Sequence, residues 1–293
     1  MPPSSKHAAS DEGRVSVNWA RVVTDWQTNT IALVGIALQC VAAALYTLGV
    51  VRLRRGGRPW PPGRSVCFGL GLLSLAMVLQ SGFAGYDDDV LWVHMTQHLV
   101  LMMLAAPLLA LGAPVRLCLA AGSPAVRRFV AGILHDPSMR LVTGMTAAVL
   151  VPLDYYGSMA VYLLTPLYRL SERNPGFHEF VHVYFLTCGL MFWVPILGRD
   201  PASWRPSPRL KLWLVTAGVP IYMAIAGAMY AEGSFITPEH SLADIHRGAI
   251  AMLVGGIALT LAGDALLIRN NRQRRVAVEQ RNVERRLALV ARS

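Results

Sequence analysis

Charge is scarce in this sequence, and acid is scarcest. Lys and Arg number 27 and Asp and Glu 17, so only 15% of the 293 residues are charged, against about a quarter in ordinary soluble domains. That shortage excludes a conventional water-facing surface over most of the chain. Cysteine is rare too. Cys40, Cys67, Cys118 and Cys188 form no CxxC pair and lie in or at the ends of apolar runs. A disulfide framework and a four-cysteine zinc site are thereby excluded, and the four read as small buried hydrophobes. Also missing are a phosphate loop, a glycine-rich dinucleotide fingerprint, an HExxH helix and any activated nucleophile. ATP-driven transport and hydrolysis lack their parts, and the chain reads as a non-enzyme. No internal repeat at solenoid periods is present.

What is abundant is apolar length. Runs at about 30–52, 66–84, 91–111, 139–164, 179–198, 210–231 and 246–268 each suffice to span roughly 30 Å of hydrocarbon. The first follows a polar stretch with Asp11, Glu12 and Asp25 and lacks the basic start and small-residue cleavage site of a signal peptide, so it reads as a retained helix. The fold expected is an all-α integral membrane bundle of about seven transmembrane helices. A polar N-terminal arm (1–29) precedes the transmembrane domain (30–268), and a basic cytoplasmic tail (269–293) follows it.

The net charge of +10 is explained by position. Five basic residues (Arg52, Arg54, Arg55, Arg58, Arg64) follow the first run and four (Arg116, Arg127, Arg128, Arg140) the third. Four more (Arg199, Arg205, Arg209, Lys211) follow the fifth, and eight arginines follow the seventh, giving 21 of 27. With seven spans all of these fall on one side, which the positive-inside rule makes the cytoplasm, so the chain is expected N-out and C-in. The basic charge then serves membrane lipid and not nucleic acid.

Seven of the eight histidines fall on the opposite side: His7, His94, His98, His178, His182, His240 and His246, with His135 cytoplasmic. His94-Met-Thr-Gln-His98 and His178-Glu-Phe-Val-His182 each set two imidazoles at i and i+4 on one helical face. Helices starting near Leu91 and Pro175 carry His98 and His182 to a common depth of roughly 10 Å. His94, His98, His178 and His182 are therefore the candidate metal ligands. Met102 continues the stripe one turn on, and imidazole with thioether suits copper, above all copper(I), whereas zinc or iron would be served by the histidines alone. Additional or outer contributors are Asp154, an acid inside the fourth run that reads equally as a partner for a neighbouring tyrosine or backbone group, Glu179 between the paired histidines, and Asp244 and His246 at the start of the seventh helix. Asp244 reads equally as a helix cap or as a partner orienting a histidine. The run Asp87–Asp89 reads as a solvated loop able to concentrate cations at the mouth of such a site.

His94-Met-Thr-Gln-His98 followed by LVLMMLAAPLLALGAP, the segment TPLYRLSERNPGFHEFVHVYFL, the following FWVPILGRDP and Leu242-Ala243-Asp244 together resemble the multi-spanning CtaG family of cytochrome c oxidase assembly factors, over roughly residues 65–268. The resemblance implies a multi-pass protein of the bacterial plasma membrane that helps mature a haem–copper oxidase by supplying copper to its catalytic subunit, with a copper-donor protein as a further partner. It carries His94, His98, His178 and His182 over as metal residues and Asp244 as a matched polar position. Where the family often has glutamine and glycine this chain has Ile245 and Ala249. Two other classes fit the residues: a haem-binding electron carrier, and a metal-free scaffold whose histidines bond helix to helix.

The topology is testable by labelling. In a background without the native cysteines, Arg58→Cys and a cysteine in the tail should react only from the cytoplasm, and Asp88→Cys only from outside. The reverse pattern would invert the orientation.

Overall fold

A computed structural model describes residues 17–87, 89–136, 147–202, 204–236 and 240–290. His7, Asp88, Arg140 and the start of the expected fourth helix (139–146) lie outside the described residues. Within them the chain is helical, with no strand. The elements are α1 (Trp19–Thr24), α2 (Thr30–Arg55), α3 (Pro62–Leu79), a 3₁₀ turn (Ala84–Tyr86), α4 (Leu91–Val100) and a π-helical turn (Leu101–Ala105). After these come α5 (Ala106–Gly112), α6 (Pro114–Ala121), α7 (Pro124–His135), α8 (Ala147–Leu164), α9 (Leu167–Arg173) and α10 (Pro175–Leu197). The last are α11 (Pro208–Thr216), α12 (Gly218–Ile236) and α13 (Leu242–Val290).

Six helical stretches are long and apolar enough to cross a membrane, and α8 with α9, bent by 70°, makes a seventh when taken as one span. The protein is thus an all-α multi-pass membrane bundle. The sixth run is divided at Ala217 into α11 and α12, and the seventh helix continues through the basic segment to Val290.

Helix starts follow local chemistry. Asn29, Ser123, Asn174 and Ser207 accept the amides of Ala32, Val126, Phe177 and Leu210, and Pro124, Pro175 and Pro208 occupy first helical positions, where a missing N–H costs nothing. Gly198 ends α10 in the left-handed region at φ 60°, a conformation glycine adopts without the penalty a Cβ brings.

Burial sorts the helices. Only 11% of the α2 span is buried, and Leu33, Leu38 and Leu45 point outward, as a lipid-facing helix permits. The stretch Leu91–Ala121 is 61% buried and forms the centre, joining one core built around Leu91, Met95, Phe185 and Phe192 to another around Tyr46, Phe68 and Leu101. Residues 17–29 fold back onto the 80–92 connection: the Asn18 amide donates to Tyr86 Oη, the Gln27 amide donates to the Gln80 carbonyl, and the Trp19 and Trp92 rings lie 6.3 Å apart.

The arginine-bearing connections meet at one end of the bundle. Asp200, 2% exposed, accepts the backbone amides of Arg116 (2.7 Å) and Val115 (3.4 Å) and so caps α6 from a distant loop. Burial raises the Asp200 carboxyl above its ordinary range, and those amides oppose the rise. Nearby Arg58 donates to the Ala120 carbonyl, and Arg199 donates to Asn270.

The π turn holds the middle of the bundle together. The Met102 carbonyl accepts from Trp193 Nε1 (3.0 Å) and Tyr155 Oη (3.4 Å), and π turns recur at functional positions. Close approach of α10 depends on Gly189, where an added Cβ would meet the Ala106 Cβ at 2.8 Å and the Met102 carbonyl at 3.0 Å. Gly189→Val should therefore destabilise by about 1–3 kcal/mol, read as a lower melting temperature in detergent. Gly227→Ala, where nothing lies within 4 Å, should leave it unchanged.

Candidate metal centre

α10 packs against the π turn and α5 that continue α4, and the histidines of α4 and α10 form a four-membered cluster. Ring centroids are 4.4 Å apart for His94–His98 and 4.5 Å for His178–His182 along each helix, and 5.0 Å for His94–His178 and 5.5 Å for His98–His182 between them. His94 and His98 are fully buried, His182 is 5% exposed and His178 is half-buried.

Their hydrogen bonding is incomplete. His98 Nε2 lies 2.7 Å and Tyr162 Oη 3.1 Å from His94 Nε2, yet an imidazole nitrogen offers one in-plane direction and serves one such partner well. His94 Nδ1, His98 Nδ1, His178 Nε2 and both ring nitrogens of His182 are buried without a hydrogen-bond partner. Each such group costs about 1–3 kcal/mol when left unsatisfied, so five in one cluster call for a ligand. Donors around a tetrahedral ion with bonds of 2.0–2.1 Å stand about 3.3 Å apart, and the four rings lie with centroids 4.4–5.5 Å from their neighbours. A haem fits less well, because no ring-sized gap separates imidazoles this close.

The aromatic surroundings fix the rings. Tyr162 stands between the cluster and Ser171, whose hydroxyl donates to the Tyr168 carbonyl and lies 2.6 Å from Tyr162 Oη. Tyr168 packs edge-on to His94 at 5.3 Å, and Phe185 edge-on to His98 at 4.8 Å. The 70° bend after α8 is what lays α9, with buried Tyr168 and Ser171, across this end.

The remaining sequence candidates separate. Glu179 Oε2 is 3.7 Å from His182 Nδ1, at the rim. Met102 is buried in the π turn, one turn beyond His98, packed in the same core as Phe185. Asp154 is not brought to the cluster: its carboxylate accepts from Tyr184 Oη and from Cys188 Sγ (3.1 Å) and faces a groove of about 720 Å³ between α8 and α10. Nor is His246, which stacks on Tyr230 at 3.8 Å. Asp244 acts on another helix: its Oδ2 accepts the Leu91 amide at 2.8 Å, capping α4, and lies 3.2 Å from His240 Nδ1. His240 Nε2 in turn lies 2.9 Å from Tyr168 Oη.

Sequence reasoning did not single out Gln97, Tyr162, Ser171 or His240, and it gave Asp87 only a diffuse role. Gln97 is fully buried, and its Nε2 donates to the Val78 carbonyl (2.9 Å) and to Asp87 Oδ2 (3.2 Å). Its place between His94 and His98 was the available signal, since an amide buried in an apolar run needs partners.

Because Asp244 caps the helix that carries His94 and His98, Asp244→Ala should cost about 0.5–2 kcal/mol. Asp244→Asn keeps an acceptor for the Leu91 amide and should retain most of the stability, as thermal melts of the two variants would show.

Residues 44–273 match the model of the cytochrome c oxidase caa3 assembly factor family (Caa3_CtaG). An uncharacterised protein of Mycobacterium leprae is 31% identical over 229 residues, covering 76% of this chain and 34% of that protein. One of Mycobacterium bovis is 30% identical over 224 residues, covering 74% and 33%. The chain thus spans about a third of the length of these relatives. No solved structure matches it. With the family match running from the middle of α2 into α13 and enclosing all four clustered histidines, the chain belongs to the cytochrome c oxidase caa3 assembly factor family.

Proposed function

We propose that this protein binds copper at an outward-facing site formed by His94, His98, His178 and His182 and supplies it to the catalytic subunit of a haem–copper oxidase in the bacterial plasma membrane. The observation that carries the reading is the meeting of two i,i+4 histidine pairs at one level, with five of their buried ring nitrogens unpartnered. Neutral imidazole is a ligand for copper, and the Met102 thioether one turn deeper favours the cuprous ion as an acceptor position. Copper here is cargo, and the protein's contribution is to hold it. The rings are kept in place by tyrosines and by the capped start of α4, in a pocket shielded by α9. A copper-donor protein at the outer surface and the oxidase subunit within the membrane are the partners this role requires. The action is binding and hand-over, with no catalytic step.

The test joins the purified protein to the cell. His98→Ala and His182→Ala should lose most copper(I) retention, and neither should restore copper to the terminal oxidase of a deletion strain. His135→Ala, exposed at the other end of the bundle, should behave as wild type in both. Equal copper retention in all variants would sink the metal site. Full copper in the oxidase of the deletion strain would sink the delivery role.

A further inference from the structure

Asp154 takes no part in the histidine cluster, yet its position is a costly one. It lies about 15 Å along α8 from the last residue, Leu164, at 1.5 Å per residue, and so near mid-bilayer. The residue is exposed. Its hydrogen-bond donors, Tyr184 Oη and Cys188 Sγ, are neutral, and among the described residues no Lys, Arg or His forms an ion pair with it. An acid within a membrane span normally faces the bundle interior or a water-filled cavity, paired with another group. This one opens toward lipid with its charge unmatched, which points to a group supplied from outside the chain.

The groove on which it opens, about 720 Å³ between α8 and α10, has the form of a helix seat. On α8 it is lined by Asp154, Gly157, Ser158 and Val161, spaced at i, i+3, i+4 and i+7 along one helical face. Small residues at the middle of such a face let a second membrane helix approach closely. Nothing lies within 4 Å of the place a Cβ would take on Gly157, so the chain's own packing leaves that point unfilled. The inner wall is formed by Tyr162 and Phe185, whose rings stand 5.2 and 4.8 Å from the His98 ring. One layer of aromatic rings therefore separates the groove from the cluster.

We propose that this groove seats a transmembrane helix of the oxidase catalytic subunit, and that a basic side chain of that helix pairs with Asp154. The inference rests on the copper-delivery reading and deepens it by naming the docking face and the chemistry of the partner. Charge selects this occupant over the others. A lipid tail covers apolar walls and leaves the carboxylate unmatched, and a second copy of this chain docked face to face brings a like charge against it.

The experiment uses membranes of cells that make the full chain together with an epitope-tagged oxidase catalytic subunit. A photoreactive benzophenone side chain replaces Val161, exposed in the groove, or Leu45, exposed on α2 away from it. Illumination should join position 161, and not position 45, to the tagged subunit. Asp154→Asn keeps an acceptor for Tyr184 and removes the charge. It should lower the adduct about fivefold, the scale of one polar contact between membrane helices, and lower oxidase copper with it. Gly157→Leu fills the groove without touching the acid and should do the same. In purified form both variants should melt as the wild type does and retain copper(I) fully, which separates docking from metal binding and from folding. No adduct from position 161, an adduct with a second copy of this chain or with lipid alone, or an adduct undiminished in both variants would overturn the groove. So would loss of copper(I) retention in Asp154→Asn. An oxidase fully loaded in both groove variants but unloaded in His98→Ala would overturn the groove and leave the delivery reading standing; an oxidase loaded in His98→Ala would overturn the delivery reading itself.

Discussion

The hydrogen bond from the Leu91 amide to the Asp244 carboxylate, 2.8 Å long, is the contact on which the arrangement of the histidine end depends. A helix exposes its first amides without partners, and inside a bilayer no water replaces them. α4 begins at Val90 with no side-chain cap of its own, so its start is held by an acid carried on α13. The same device recurs at the opposite end, where Asp200 accepts the amides that open α6. Both acids lie in segments that carry the family resemblance, Leu242-Ala243-Asp244 and FWVPILGRDP. Each holds the start of a helix in the central run from a distant part of the chain.

From that anchored helix the rest of the site follows by packing. The π turn frees the Met102 carbonyl for Trp193 and Tyr155, and Gly189 lets α10 come close enough for His178 and His182 to face His94 and His98. Tyr162, Tyr168 and Phe185 pack against the rings of His94 and His98. The site is closed at its outer end by α9 and the tyrosines. It is accessible on the α2 side, where the first span packs loosely.

Membership in the oxidase assembly family places this geometry in context without specifying its cargo. The mycobacterial relatives are about three times the aligned length, so a bundle of this kind also occurs as one portion of a longer chain.

Much of this was written in the sequence. Apolar runs of about twenty residues determine membrane helices because the bilayer leaves few alternatives, and i,i+4 spacing determines that His94 with His98, and His178 with His182, share a helical face. Both are local properties, fixed by composition and by 3.6 residues per turn. Asp154 shows where that logic stops: its depth was legible, but its direction was not. Rotation of α8 about its axis turns Asp154 toward Tyr184 and Cys188 and away from the cluster. Asp244, Asp87, Gln97 and His240 likewise took their roles from the assembled bundle. Leu91 and Asp244 are 153 residues apart in the chain, and no periodicity links them. The sequence by itself determined which helices exist and which faces carry imidazole; the tertiary structure decided which faces meet, because that depends on long-range packing at Gly189 and on caps borrowed from distant helices.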